Sequence, residues 1–121
     1  MNLNKVIIAG RLTRDPELLK SSSGTSITKF SLATSRKYKD KEETEFHNIV
    51  SFGKQAETIN EYCEKGQLLL VEGRLQTSNW EKDGTKHYRT EVILENFQFG
   101  QKTQKQESKE EDDIDVSNIP F

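Results

Sequence analysis

Four aromatic residues stand where a folded interior has no evident need of them. Tyr38 lies inside Arg36-Lys37-Tyr38-Lys39, a polar segment with no apolar neighbour. Trp80, the only tryptophan, lies in Thr77-Ser78-Asn79-Trp80-Glu81-Lys82, just ahead of Asp83-Gly84. Phe46 and Phe52 fall on one side of an alternating segment that begins and ends near charge. An exposed ring beside cations is a stacking platform for an unpaired nucleobase. Each base–aromatic stack contributes roughly 1–3 kcal/mol and tolerates any base, because every base has a π-face. A duplex hides those faces, so such a surface selects single strands without reading sequence. Phe46 and Phe52 also suit an interior that needs inward rings, and both roles stay open for them. Phe30, Phe97 and Phe99 are assigned to core or packing.

Arg11, Arg14, Lys54, Arg74, Lys82, Lys86 and Arg89 are the candidate phosphate contacts. Such contacts give a salt-dependent affinity, with a slope of about −0.7 per neutralised phosphate of a single strand. Taken singly, each reads first as an ordinary solvated charge. Glu42, Glu43 and Glu45 read as a solvated segment rather than a two-metal site. One cysteine, Cys63, and two histidines, His47 and His87, cannot build a zinc site unaided. Neither a metal nor another cofactor is expected, and no catalytic activity.

A second chemical feature sits at the far end of the chain. Five carboxylates occupy the six residues from Glu110 to Asp115, among them Asp112, Asp113 and Asp115, and the last three residues are Ile119, Pro120 and Phe121. The stretch from Gln101 to Lys109 holds only Gln, Lys, Thr, Glu and Ser, which cannot bury enough apolar surface to fold. The expectation is a body over residues 1–100, a flexible polar linker over 101–109, and an acidic, disordered docking tail over 110–121.

Charge follows the same division. Residues 1–100 carry 15 Lys and Arg against 14 Asp and Glu, whereas 101–121 carry 3 against 6. The overall acidity therefore belongs to the tail and does not exclude an anionic ligand for the body. A length of 121 residues fits one domain with a tail. A lone cysteine precludes an intrachain disulfide and fits a reducing compartment. The start lacks the apolar segment of a signal peptide, and the aliphatic runs are too short for a membrane span. A cytoplasmic protein without membrane partners is expected.

The elements that must hold the rings follow from periodicity. Leu3 to Leu12 contains the β-branched run Val6-Ile7-Ile8, closed by a turn at Asp15-Pro16, and Ser21 to Gly24 is a loop. From Ile27 to Thr34 the pattern alternates, with Phe30 and Leu32 on the core side and Lys29, Ser31 and Ala33 on the other. The charged segment Arg36 to Glu45 separates this strand from the next, Phe46 to Phe52. Ala56, Ile59 and Cys63 then fall at helical spacing, with Gly66 as the C-terminal cap. Leu68 to Val71 reads as a strand buried on both faces. Gln76 to Trp80 continues extended, Asp83-Gly84 is a hairpin turn, and Tyr88 to Phe99 is the last strand. An all-β chain with five strands and one short helix between strands 3 and 4 is the order of the OB-fold barrel, whose face and loops bind oligonucleotides.

Several segments together resemble the bacterial-type single-stranded DNA-binding protein family, including its phage-encoded relatives. They are Asn4-Lys5-Val6, Gly10-Arg11-Leu12, Asp15-Pro16-Glu17, Leu32-Ala33-Thr34, Thr44-Glu45-Phe46-His47, Phe52-Gly53-Lys54, Glu61-Tyr62, Lys65-Gly66, Val71-Glu72-Gly73-Arg74-Leu75, Tyr88-Arg89-Thr90-Glu91-Val92 and the final Ile119-Pro120-Phe121. The resemblance implies a homotetramer of OB-folds wrapped by single-stranded DNA. It implies stacking rings at Tyr38, Phe46, Phe52 and Trp80, with Tyr38 and Phe46 standing where many relatives carry Trp. It also implies a subunit contact at His47, and a tail that docks onto replication, recombination and repair enzymes. Relatives usually place acids directly before the last three residues, whereas this chain has Val116-Ser117-Asn118 there. The residues alone leave an RNA-binding OB-fold module as the alternative, since nothing in the rings distinguishes the two nucleic acids.

Overall fold

The computed structural model describes residues 1–101. Residues 102–121, which take in all but the first residue of the linker expected at 101–109 and the expected tail residues Asp112, Asp113, Asp115, Ile119, Pro120 and Phe121, lie outside the described residues. Seven elements follow in order: β1 (Val6–Leu12), β2 (Glu17–Lys20), β3 (Ser26–Tyr38), β4 (Lys41–Phe52), α1 (Gly53–Tyr62), β5 (Leu68–Lys82) and β6 (Thr85–Phe99). No helix among them is long and apolar enough to cross a membrane.

The sheet runs β1-β5-β6-β4-β3-β2, and an additional β1–β3 pairing at Arg11–Ala33 and Leu12–Leu32 closes it. Five strands thus form an OB-fold barrel, with β2 as a short outer strand laid on β3 through Glu17–Lys29 to Lys20–Ser26. All ladders are antiparallel except the two-residue β4–β6 contact, Ile49–Val92 and Val50–Ile93. The alternation in β3 and β4 decides what is inside. Phe30, Leu32 and Ile49 join Leu12, Leu69, Val71, Val92 and Leu94 in the core. Side chains one residue along point to the opposite face, as the pleat requires.

Helix α1 covers one end of this core with Ala56 and Ile59. Two buried hydroxyl-bearing side chains of β3 fasten it there. Thr28 Oγ1 donates to the Ala56 carbonyl at 2.7 Å, and Ser26 Oγ donates to Glu57 Oε2 at 2.8 Å. The helix ends at Tyr62 with Cys63 as its C-cap, so the expected cap at Gly66 is corrected. Gly66 instead donates its N–H to the Leu12 carbonyl at 2.9 Å, joining the loop after α1 to the end of β1.

Other expectations change for identifiable reasons. The charged segment from Arg36 to Glu45 is no spacer but the far half of the β3–β4 hairpin, turning at Lys39 and Asp40 with φ of 50° and 66°. A ribbon wet on both sides needs no apolar alternation. Its register sets opposite charges across from one another, Arg36 to Glu43 and Lys37 to Glu42. The first strand begins at Val6 and leaves Leu3 90% exposed, and β2 occupies Glu17–Lys20, between the expected turn at Asp15-Pro16 and the loop at Ser21 to Gly24, where no element is expected. Leu69 and Val71 are buried while Leu68 and Leu70 are only half-buried, so that segment has one inner face rather than two. The last strand starts at Thr85, immediately after the turn at Asp83 and Gly84, where both residues have positive φ.

Candidate nucleic-acid interface

Phe46 and Phe52 point outward. They pair with Ala33 and Ile27 on β3, and at 66% and 45% exposure they lie on the face opposite Ile49 and Ser51, which are fully buried. Once the inner positions of β4 are filled, the pleat leaves its aromatic positions to solvent. Between the two rings, the same face carries Lys29, Ser31 and Asn48, with Ser31 directly opposite Asn48. A groove of about 350 Å³ opens here, lined by Arg14, Glu17, Lys29, Ser31, Asn48, Arg89 and Glu91. Three cations from the β1–β2 connection, β3 and β6 converge on it beside two carboxylates, so the groove is polar and carries a slight excess of positive charge.

Trp80 belongs to the β5–β6 hairpin that projects past the barrel. It is 42% exposed and stacks on His87 across the ladder, with ring centroids 5.5 Å apart and planes at 20°. The guanidinium carbon of Arg89 lies 5.4 Å from the Trp80 ring centroid. Since Arg89 also lines the groove, it links the indole to the cationic floor between Phe46 and Phe52. Tyr38 stands apart. It is 56% exposed next to the turn of the β3–β4 hairpin, with Lys39 Nζ 5.3 Å from its ring. By the unbroken alternation of β3 it belongs to the opposite side of the ribbon from Phe46.

The expected cations divide by their surroundings. Arg14 and Arg89 reach the groove. Arg89 has Glu91 at 3.9 Å, the outer limit of an ion pair. Arg11 donates to the Gly66 carbonyl at 3.0 Å, and Arg74 binds Gln76 Oε1 at 3.2 Å and Glu95 at 3.7 Å, so both carry structural duties. Lys82 and Lys86 flank the turn below Trp80, facing Thr85 and Glu81 across the ladder. Lys54 lies in the first turn of α1, where its carbonyl accepts from Thr58 Oγ1 at 3.0 Å. His47 is half-buried on the inner side of β4 and shares a 2.9 Å hydrogen bond between its Nε2 and Thr34 Oγ1.

Residue reasoning passed over Lys29, Ser31, Asn48 and His87. The first two were legible as the outward partners of Phe30 and Leu32. His87 was legible by counting out from the two-residue turn, which sets it opposite Trp80. Asn48 shares the alternation of Phe46 and Phe52. Tyr88, 66% exposed on the other face of the hairpin, is a further ring that hydrophobic patterning assigned to a strand without a role.

Comparison with known proteins places this geometry. A model of the Single-strand binding protein family matches residues 3–100. The single-stranded DNA-binding protein of Clostridium perfringens is 46% identical over 99 residues, covering 80% of this chain and 65% of that protein. Single-stranded DNA-binding protein 1 of Staphylococcus aureus is 48% identical over 101 residues, covering 80% and 65%. The chain thus spans just under two thirds of the length of these curated relatives. Among solved structures, a Plasmodium falciparum SSB complex with ssDNA superimposes with a TM-score of 0.78 at 29% identity, covering 84% of this chain and 97% of that one. With its barrel, its outward rings and a family match from residue 3 to residue 100, the chain belongs to the Single-strand binding protein family.

Proposed function

We propose that this protein binds single-stranded DNA without catalysing a reaction, coating unpaired strands through base stacking and phosphate contacts. The observation that carries this reading is the continuity of one outer surface. Phe46 and Phe52 flank Lys29, Ser31 and Asn48, and Arg89 joins that groove to Trp80. Stacking rings beside a cationic floor favour a flexible strand with exposed bases over a duplex. The names of the bacterial relatives and the DNA in the Plasmodium complex support the same substrate. Tyr38, on the other side of the β3–β4 ribbon, then serves a strand that wraps around the hairpin rather than one lying flat on the groove.

The protein acts as a homotetramer in this reading. Supporting that, among the described residues β1 meets β3 only at Arg11 and Leu12, so Val6 to Gly10 have a partner strand there on one edge alone, and Ile7 is 63% exposed. An open strand edge with an apolar side chain is a site for pairing with another chain. His47, half-buried at the Thr34 hydroxyl, is the family's subunit-contact position. We assign the residues from 110 to 121 to docking of replication, recombination and repair enzymes, the acids steering the encounter and Ile119, Pro120 and Phe121 entering an apolar pocket. In this reading residues 1–100 bind the DNA, 101–109 link, and 110–121 dock partners.

The test is a fluorescence titration of the full chain. Long oligothymidine is expected to quench Trp80, the sole indole, at concentrations where duplex DNA of equal length does not. Equal affinity for duplex and single strand removes the reading. Clear preference for oligouridine over oligothymidine replaces it with the RNA-binding module.

A further inference from the structure

Trp80 does not stand alone on its hairpin. The turn at Asp83 and Gly84 sets it directly opposite His87, and the two rings stack at 5.5 Å with planes 20° apart. The neighbouring pairs on this face, Ser78–Arg89 and Lys82–Thr85, contain no second ring. This part of β5 projects from the barrel, and Gln76, Thr77, Asn79 and Trp80 are all exposed. No core therefore holds the indole in one rotamer. An imidazole packed against it does, and a ring ordered in advance loses less freedom when a base arrives. The imidazole stacks on the indole, and Trp80 keeps 42% of its surface exposed for a nucleobase. Arg89, two residues along β6 on the same side, lies 5.4 Å from that indole while lining the groove with Arg14 and Lys29.

We propose that His87 is a positioning residue for base stacking, and that Trp80, His87 and Arg89 act as one unit. The imidazole backs the indole, the nucleobase takes the indole's other face, and Arg89 receives the adjoining phosphate in the groove. This unit rests on the single-stranded DNA reading above and gives it a residue-level arrangement.

The experiment titrates a thymidine oligomer into the full chain, following Trp80 emission at several salt concentrations, for wild type, His87→Ala, His87→Phe, His87→Lys and Arg89→Ala. His87→Ala is expected to weaken binding by about two- to tenfold, the contribution of one aromatic pair, and His87→Phe to return it to within about twofold of wild type. His87→Lys, which supplies a long cationic side chain but no plane, is expected to bind like the alanine variant. Arg89→Ala is expected to lower the magnitude of the salt slope by about 0.7, one phosphate of a single strand, while His87→Ala leaves the slope alone. In the free protein, anisotropy decay is expected to show faster local rotation of the indole in His87→Ala and its reversal in His87→Phe, at unchanged melting temperature. A His87→Ala variant that binds as wild type overturns the proposal. So does a His87→Phe variant as weak as alanine, or a His87→Lys variant as strong as wild type. If wild type itself binds no oligothymidine, the DNA reading falls and takes this unit with it. If wild type is quenched normally and all His87 variants match it, only the unit falls.

Discussion

The carbonyl oxygen of Ile93 occupies the space that a side chain on Gly73 would need, 2.1 Å from an ideal Cβ. The β5–β6 register shifts between Glu72 and Gly73, and Gly73 is the last residue of β5 that pairs with β1. A bulge at that point re-aims the strand beyond it. Close backbone approach here therefore shapes both the wall and the placement of Trp80. Gly73→Ala is expected to lower stability by about 1–3 kcal/mol, the usual cost of overpacking, measured as an earlier denaturant midpoint. An unchanged midpoint would mean that the two strands separate there without penalty.

Exposed and buried phenylalanines separate cleanly by mutation. Phe46→Ala and Phe52→Ala are each expected to weaken oligothymidine binding by roughly 1–3 kcal/mol with little change in melting. Phe30, 5% exposed within the core, is expected to behave in the reverse manner, with Phe30→Ala costing about 3–5 kcal/mol of stability. Calorimetry and binding titrations on the same preparations check both halves. A Phe46→Ala protein that melts early but binds normally would return that ring to packing.

Groove cations and ladder cations should differ in their salt response. Arg14→Gln and Lys29→Gln are each expected to reduce the slope of log affinity against log salt by about 0.7. Arg74→Gln should reduce it less, because Glu95 at 3.7 Å and Gln76 at 3.2 Å already engage that guanidinium. Titrations at four or more salt concentrations resolve this, and identical slopes for all three would place the DNA backbone elsewhere.

The open edge of β1 makes a prediction about assembly. Ile7→Asp puts a charge where a 63% exposed apolar side chain meets that edge, and is expected to yield smaller species by sedimentation velocity while the barrel's far-UV signature persists. Sedimentation identical to wild type would move the subunit contact away from β1.

Particular elements show what residue patterns could and could not convey. Alternation from Ile27 to Thr34 placed Phe30 and Leu32 together on the core side, and they are 5% and 0% exposed. The same rule grouped Phe46 with Phe52 but left their side open, because period two says which residues share a face and not which face is covered. Ala56, Ile59 and Cys63 were legible as one buried stripe at helical spacing. The end of that helix was not, because Gly66 has the positive φ of a cap yet spends its N–H on Leu12 across the barrel. Strand β2 carried no signal, since its four residues are exposed and owe their extension to pairing with β3.

The candidate site divides along the same line. Composition and local spacing by themselves determined that rings lie among cations, that a two-residue turn follows Trp80, and that charge of one sign gathers after the body. Those are short-range properties, written in neighbours along the chain. Closure of the barrel decided the rest. It turned Phe46 and Phe52 outward, brought Arg14, Lys29 and Arg89 around one groove, and tied Arg11 and Arg74 into structural contacts instead. Residues so distant in sequence meet only because β1 pairs with both β3 and β5, and that pairing is driven by burial of a shared core rather than by any local preference.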